Sequence, residues 1–127
     1  MKRTFNLLLC LGLALGMMAQ VNEPQNTDIN KTDKKGKQGS WVEKNGIIRE
    51  EGNYIDGQKD GGWVIYSEKG IIIRVESYKK GKKDGIFLNL ESGYITREEH
   101  YTSDILNGPQ RIFTYGGRPK AESFYKN

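Results

Sequence analysis

The sequence of 127 residues predicts an all-β fold, an elongated antiparallel β-hairpin repeat array of about four units of 23–24 residues. The first observation is a tyrosine that recurs at intervals of 24, 23 and 24 residues. The second is a glycine eight residues before each of these tyrosines, and the third is a glycine seven residues after the first three. Fixed spacing of this kind is the signature of a repeat architecture. The residues are Tyr54, Tyr78, Tyr101 and Tyr125, the preceding Gly46, Gly70, Gly93 and Gly117, and the following Gly61, Gly85 and Gly108.

Residues 1–19 are predicted to be a secretory signal peptide. Lys2 and Arg3 precede a short apolar run that ends at Ala19, and a polar segment follows. This order is typical of signal peptides, whereas a transmembrane helix needs about 20 apolar residues. We expect cleavage after Ala19 and export to the periplasm or the extracellular space. The mature chain would then lack cysteine, because the single Cys10 lies in the removed segment.

Residues 20–35 are predicted to form a flexible polar leader, because they contain almost no apolar side chains. The repeat domain then spans residues 36–127. Removing Lys2 and Arg3 from the 20 cationic residues leaves 18 against 16 acidic ones, a mature charge of +2. So small a charge argues against a nucleic-acid partner.

Each unit is predicted to contain a strand, a turn, a returning strand and a second turn. In the second unit the strands cover residues 61–66 and 71–78. The interval that varies between units lies within the first hairpin loop, where changes of one or two residues are tolerated. Glycine suits turns that need a positive φ. Asp104 takes the place that Gly57 and Gly81 have in the other units, and aspartate also tolerates this conformation.

Alternation of side chains along a strand divides the apolar residues between two faces. One face carries the large residues that follow each starting glycine, and Gln110 replaces them in the fourth unit. The other face carries Val64, Tyr66 and Leu88, so the central units are apolar on both faces. More polar end units suit the caps of a stacked array. The repeat-defining aromatic residues are Trp41, Trp63, Phe87 and Tyr125, and the expected core comprises Trp63, Tyr66, Tyr78 and Phe87.

Residues 78–87, YKKGKKDGIF, and their counterpart at residues 54–63, YIDGQKDGGW, resemble MORN repeats, most closely the bacterial variant form. The resemblance covers residues 36–127. The first unit departs from the pattern at Lys35, and the fourth departs at Asp104 and Gln110. Proteins of this kind are often exported and are sometimes labelled antitoxin-like. The resemblance implies a scaffold or binding module rather than one activity, because a fold does not define a function.

The sequence predicts no enzymatic activity, cofactor or metal site. It contains no nucleophile elbow, phosphate loop or zinc-ligand spacing. His100 is the single histidine, and Glu98 shares its face, so a metal site would need further carboxylates. Glu76 and Glu99 occupy equivalent repeat positions about 9.6 Å apart, within the range of a glycosidase pair. Because no concave pocket is evident, a glycan-active enzyme is the least favoured function.

Two features are candidates for a binding face. The tyrosines at positions 54, 78 and 101 could stack on sugars or on a partner's side chains. The cluster of Lys79, Lys80, Lys82 and Lys83 could contact an anionic lipid or glycan. For both features we favour a structural role, since repeat-defining residues maintain the stack and turn lysines protect sheet edges. Peripheral membrane contact is therefore not the favoured interpretation.

Together these observations predict an exported, non-enzymatic binding or scaffold module. The face of the sheet would engage a protein or an envelope component. The alternative, suggested by the family resemblance, is an antitoxin- or immunity-like inhibitor.

Overall fold

The computed structural model describes residues 28–126, where the chain forms one open antiparallel sheet of 12 strands. The predicted signal peptide, with Cys10, lies outside the described residues. The strands are β1 (Lys31–Asp33), β2 (Gly36–Asn45), β3 (Ile48–Ile55), β4 (Gln58–Lys59), β5 (Gly61–Tyr66), β6 (Ile72–Lys79), β7 (Lys82–Lys83), β8 (Gly85–Glu91), β9 (Tyr94–Thr102), β10 (Ile105–Leu106), β11 (Gly108–Phe113) and β12 (Pro119–Tyr125). Residues 28–126 contain no helix, and thus none able to cross a membrane. The predicted all-β hairpin array is confirmed.

Successive hairpins lie side by side in chain order. The order across the sheet is β1-β2-β3-β5-β6-β8-β9-β11-β12. The two-residue strands β4, β7 and β10 lie off this path and pair with β3, β6 and β9 at the turns between units. Each predicted unit therefore corresponds to one long hairpin followed by a short connecting turn.

The spacing of glycine and tyrosine has a direct origin in the register. Each repeat tyrosine lies opposite the starting glycine of its own hairpin, as in the pairs Gly39–Tyr54, Gly61–Tyr78, Gly85–Tyr101 and Gly108–Tyr125. An aromatic ring beside a glycine on the neighbouring strand covers backbone that the glycine leaves exposed. At the connecting turns, Gly57 and Gly81 have positive φ, and Asp104 has a φ of 72°. The prediction for Asp104 is therefore confirmed.

The sheet begins earlier than the predicted domain boundary at residue 36. Residues 31–33, which the sequence assigned to the flexible leader, form β1 and pair with the start of β2. The side chain of Asn30 continues this pairing, because its Nδ2 donates to the Val42 carbonyl at 3.1 Å and its Oδ1 accepts from the Val42 N–H at 2.8 Å. Polar strands held by backbone bonds have the same composition as a disordered leader, so composition misplaced the boundary.

The core lies on one face of the sheet. The buried apolar side chains are Tyr54, Trp63, Ile65 and Phe87, and both Trp63 and Ile65 have 0% exposure. Trp63 and Phe87 were expected in the core. Tyr78 is half-buried and packs against this cluster. Tyr66 is also half-buried, but it lies opposite Ile72 on the other face, with the Arg49 guanidinium 4.2 Å from its ring centre.

Candidate functional site

The core face carries a row of aromatic rings that crosses the strands. The ring centres are 5.6 Å apart for Trp41–Tyr54, 5.0 Å for Tyr54–Trp63, 5.5 Å for Tyr78–Phe87 and 5.0 Å for Phe87–Tyr101. All four contacts are edge-to-face, the arrangement that aromatic quadrupoles favour. The tyrosines at positions 54, 78 and 101, which were candidates for a binding face, therefore all lie in this row. Each packs against a tryptophan or phenylalanine ring.

Three lysines cover this row from the solvent side. Lys37 Nζ lies 4.6 Å from the Trp41 ring centre, Lys59 Nζ lies 3.9 Å from that of Trp63, and Lys83 Nζ lies 5.1 Å from that of Phe87. Each ammonium also lies within 5.4 Å of the tyrosine ring of the same unit. Cation–π contacts of this kind let a lysine stem shield an apolar ring while its charge stays near water.

The backbone of the same lysines joins neighbouring units. The carbonyls of Lys37, Lys59 and Lys83 accept hydrogen bonds from residues of the next connecting turn. The donors are the N–H groups of Gly57 at 3.0 Å, Gly81 at 2.8 Å and Asp104 at 2.9 Å. Sequence reasoning missed this role, although the signal was available: a lysine stands two residues before the starting glycine in the first three units.

Carboxylates anchor the tyrosine hydroxyls. The Tyr78 hydroxyl donates to Glu76 Oε2 at 2.8 Å, and the Tyr101 hydroxyl donates to Glu99 Oε2 at 3.1 Å. Burial, together with the Glu76 carboxylate, raises the pKa of Tyr78 well above that of a free tyrosine. Glu76 and Glu99 each hold a tyrosine, and Phe87 lies opposite Glu99 and against Tyr78. Their contacts are therefore those of structural anchors rather than of a glycosidase pair.

The predicted lysine cluster is divided between two locations. Lys83 covers the aromatic row, whereas Lys79, Lys80 and Lys82 are exposed. These three line a shallow groove of about 470 Å³ whose other lining residues are Asp84, Thr102 and Ser103. The sequence cluster is thus one structural lysine and three solvent-facing ones.

The opposite face of the sheet carries a partly exposed apolar patch, which we call the open patch: Val64, Val75 and Leu88. Register places Val64 opposite Val75 and Val75 opposite Leu88, so the three side chains are neighbours across β5, β6 and β8. All three are half-buried. Since residues 28–126 form a single sheet, the described chain provides no second layer above this patch.

Charged side chains border the open patch on both sides. Glu51 lies opposite Val64 and pairs with Arg49 at 2.7 Å. On the other side Glu98 lies opposite Leu88 and pairs with Arg111 at 2.9 Å. The apolar centre therefore has a rim in which the positive and negative charges are already paired.

His100 belongs to this rim. Its Nε2 lies 2.7 Å from Glu98 Oε1, and Arg111 Nε continues the network to Glu122 at 2.9 Å. Hydrogen bonding from His100, with the charge of Arg111, holds the pKa of Glu98 below its usual value. Among residues 28–126, no three histidine, cysteine, aspartate or glutamate side chains are grouped as metal ligands would be. The hydrogen bond with Glu98 accounts for the position of His100.

Sequence reasoning placed apolar residues on both faces but did not distinguish the covered face from the open one. The distinguishing signal is the regular lysine, whose side chain shares a face with the aromatic row. No protein-family model, curated protein or solved structure matches this chain.

Proposed function

We propose that the protein is a non-enzymatic binding or scaffold module, exported from the cell, that engages a protein with the open face of its sheet. The observation that carries this proposal is the open patch of Val64, Val75 and Leu88, which lies on the face opposite the buried core. An uncovered apolar surface with a polar rim is characteristic of protein interaction sites.

The rim supports a protein partner. The charges of Glu51 and Glu98 are paired with arginines of the same sheet, so a partner need not supply counter-charges to dock. A complementary surface would have an apolar centre about three strands wide, roughly 10–15 Å at the usual strand spacing. A second sheet face or an amphipathic helix has these dimensions and this pattern.

The core face supports a protein partner over a glycan. Sugar recognition by aromatic residues uses an accessible ring face. Here Trp63 is fully buried, Phe87 is buried, and lysine ammonium groups lie over both rings. These rings stabilise the sheet and leave the opposite face as the surface for recognition. An exported partner, in the cell envelope or outside it, follows from the predicted signal peptide.

Two substitutions on adjacent residues of β8 test the proposal. Leu88→Glu places a charge in the open patch, whereas Asn89→Glu places the same charge at an exposed position on the other face. Far-UV circular dichroism and urea unfolding establish that both variants fold. In affinity capture from envelope extract, we expect a specific partner to bind the wild type and Asn89→Glu but to lose binding to Leu88→Glu.

A photo-crosslinking residue then locates the contact. Placed at Val75, it should form a covalent adduct with the captured protein. Placed at the neighbouring Arg74, it should not form an adduct, because Arg74 lies opposite Ile65 on the face that carries the aromatic row. A partner that binds Leu88→Glu as well as the wild type, or that crosslinks only from position 74, would rule out the open patch as the recognition surface.

A further inference from the structure

Among residues 28–126, strand β12 forms an edge of the sheet that is only partly protected. Every residue of Pro119–Tyr125 is exposed, and the exposed fraction is 74% for Phe124 and 40% for Tyr125. Strand β12 pairs with β11 on one side, and the described residues supply no strand on the other side of β12. Natural edges are commonly protected by lysine, proline or a bulge. Here Pro119 and Lys120 provide this protection at the beginning of the strand, where the register shifts, and among residues 121–125 only Glu122 is charged.

The backbone of this edge is oriented to accept another strand. In each earlier unit, the carbonyl of the residue before the repeat tyrosine bonds to the next unit. Asn53, Ser77 and His100 accept in this way from Asp60, Asp84 and Asn107, each at 2.9 Å. Phe124 occupies the same position before Tyr125. By this equivalence, the backbone groups of Phe124 and Glu122 point outward, and those of Ser123 point towards β11.

At the other end of the sheet, the side of β2 that a preceding hairpin would use is occupied. Strand β1 covers the start of β2, and both side-chain bonds of Asn30 occupy the backbone groups of Val42. Val42 is the counterpart of Val64, which pairs with the preceding unit through Glu51. Asn30 therefore fills the position that a preceding hairpin, or the β12 of another copy, would need. Head-to-tail pairing of β12 with β2 is blocked at Val42.

We propose that two copies of this chain associate through their β12 strands, antiparallel and around a two-fold axis at Ser123. This inference concerns a different surface from the open patch and does not depend on the proposed function. Glu122 of each copy lies opposite Phe124 of the second copy, and Ala121 lies opposite Tyr125. The small Ala121 gives the tyrosine ring room, as the starting glycines do within each hairpin. Because the β12 edge meets its own copy in this arrangement, this edge joins two chains and no more.

Charge disfavours one competing register. A shift of the axis to Glu122 would place the two Glu122 side chains directly opposite each other, which is unfavourable. With the axis at Ser123 the glutamates are apart, and each retains its ion pair with Arg111 at 2.9 Å. The paired segment also avoids the bulged residue Lys120, where the register of β12 with β11 shifts.

Light scattering coupled to size-exclusion chromatography tests the association on the whole chain. The wild type should have twice the monomer mass. Phe124→Lys introduces an edge-protecting charge at a 74% exposed side chain and should halve the measured mass. Ile47→Lys is the matched control, because Ile47 is an equally apolar side chain, 67% exposed, distant from this edge. It should leave the dimer intact.

A cysteine at the axis tests the register. Non-hydrogen-bonded antiparallel partners have Cα atoms about 4.5 Å apart, within the range that a disulfide spans. In a Cys10→Ser background, Ser123→Cys should therefore form a disulfide-linked dimer on mild oxidation. Ser92→Cys, in an exposed turn, and the parent without cysteine should not.

Three results would overturn the proposal: a wild type that is monomeric at all concentrations, a mass that grows with concentration beyond two chains, or a dimer that survives Phe124→Lys. The last would assign association to another surface or to residues 1–27. Loss of the dimer in Phe124→Lys without a disulfide in Ser123→Cys would overturn the two-fold axis at Ser123.

Discussion

The indole of Trp63 occupies the space that a side chain at Gly52 would need. A Cβ added to Gly52 would lie 2.2 Å from Trp63 Cδ2 and 2.3 Å from Cε2. Gly52 also lies opposite Trp41 on β2. Its place in the second and third units is taken by Glu76 and Glu99, two residues before the repeat tyrosine. The glycine is therefore a packing requirement of the large ring beside it.

Gly52→Ala should destabilise the protein because Trp63, with 0% exposure, has no free space into which to move. Overpacking typically costs about 1–3 kcal/mol, and we expect the upper part of that range. Gly62→Ala is the control, since a Cβ there meets no atom within 4 Å and the φ of Gly62 is not positive. Its effect should stay within about 0.5 kcal/mol of the wild type. Urea unfolding measures both, and equal effects would contradict the packing role of Gly52.

Lys59→Ala should both destabilise the array and expose Trp63. The ammonium lies 3.9 Å from the Trp63 ring centre and 2.9 Å from Glu50 Oε2. Cation–π contacts contribute about 0.5–2 kcal/mol, depending on desolvation. In a Trp41→Phe background, the fluorescence of Trp63 should shift to longer wavelength. The exposed Lys80 provides the control: Lys80→Ala should change neither the emission nor the stability. An unshifted emission in Lys59→Ala would show that the lysine does not cover the ring.

Truncation of a core aromatic residue should unfold most of the array. Phe87 contacts Tyr78 on one side and Tyr101 on the other, so its loss weakens two hairpins. Phe→Ala changes in cores cost about 3–5 kcal/mol, against a total stability of about 5–15 kcal/mol for a small domain. Gln110, at the equivalent place in the fourth unit, donates to Glu99 at 2.9 Å and accepts from Tyr125. Gln110→Ala should cost only about 1 kcal/mol. Equal urea midpoints for Phe87→Ala and Gln110→Ala would exclude Phe87 from the core.

Acid should destabilise the protein through Glu99. Burial raises the pKa of Glu99, but hydrogen bonds from Gln110, Arg97 and Tyr101 outweigh burial, so the pKa in the folded state lies below the ordinary value of 4.5. A lowered folded-state pKa means that the stabilisation is complete above the unfolded-state pKa and is lost as the pH falls through the folded-state value. The urea concentration at the unfolding midpoint should therefore decrease as the pH drops below about 4.5, the range in which glutamate titrates in the unfolded chain.

The variant Glu99→Gln should reduce the difference between the urea midpoints at pH 7 and at pH 3. Glu91→Gln, at an exposed position on β8, should retain the wild-type difference. If Glu99→Gln keeps the full pH dependence, the acid sensitivity resides in other carboxylates.

The hairpin order was predictable because it depends on local geometry. Glycine and Asp104 mark turns that need a positive φ, and the constant interval between the middle glycine and the tyrosine fixes the length of the returning strand. The involvement of Trp63 and Phe87 in the core followed from alternation along the strands. These features require only the sequence of one unit and its neighbours.

Other features depend on contacts between units, and alternation does not describe them. Val64 and Trp63 are both apolar, and the lysine from the connecting turn and the neighbouring tyrosine cover the face that carries Trp63. The packing role of Gly52 was not predicted because glycine does not recur at the equivalent position of the other units. The contribution of Asn30 and β1 was not predicted because it is made through hydrogen bonds. Polar residues in any sequence order can form such bonds.

The lysines that cover the aromatic row have a consequence for how such a protein changes in length during evolution. Lys59 contacts both aromatic residues of its own hairpin, and its carbonyl accepts a backbone hydrogen bond from the following turn. A unit of about 24 residues therefore contains its own lysine contacts and a hydrogen bond to the next turn. Tandem duplication of one unit would reproduce these lysine contacts in each copy. Duplication of one strand would reverse the chain direction and separate the lysine from its rings. This architecture therefore lengthens by whole hairpins.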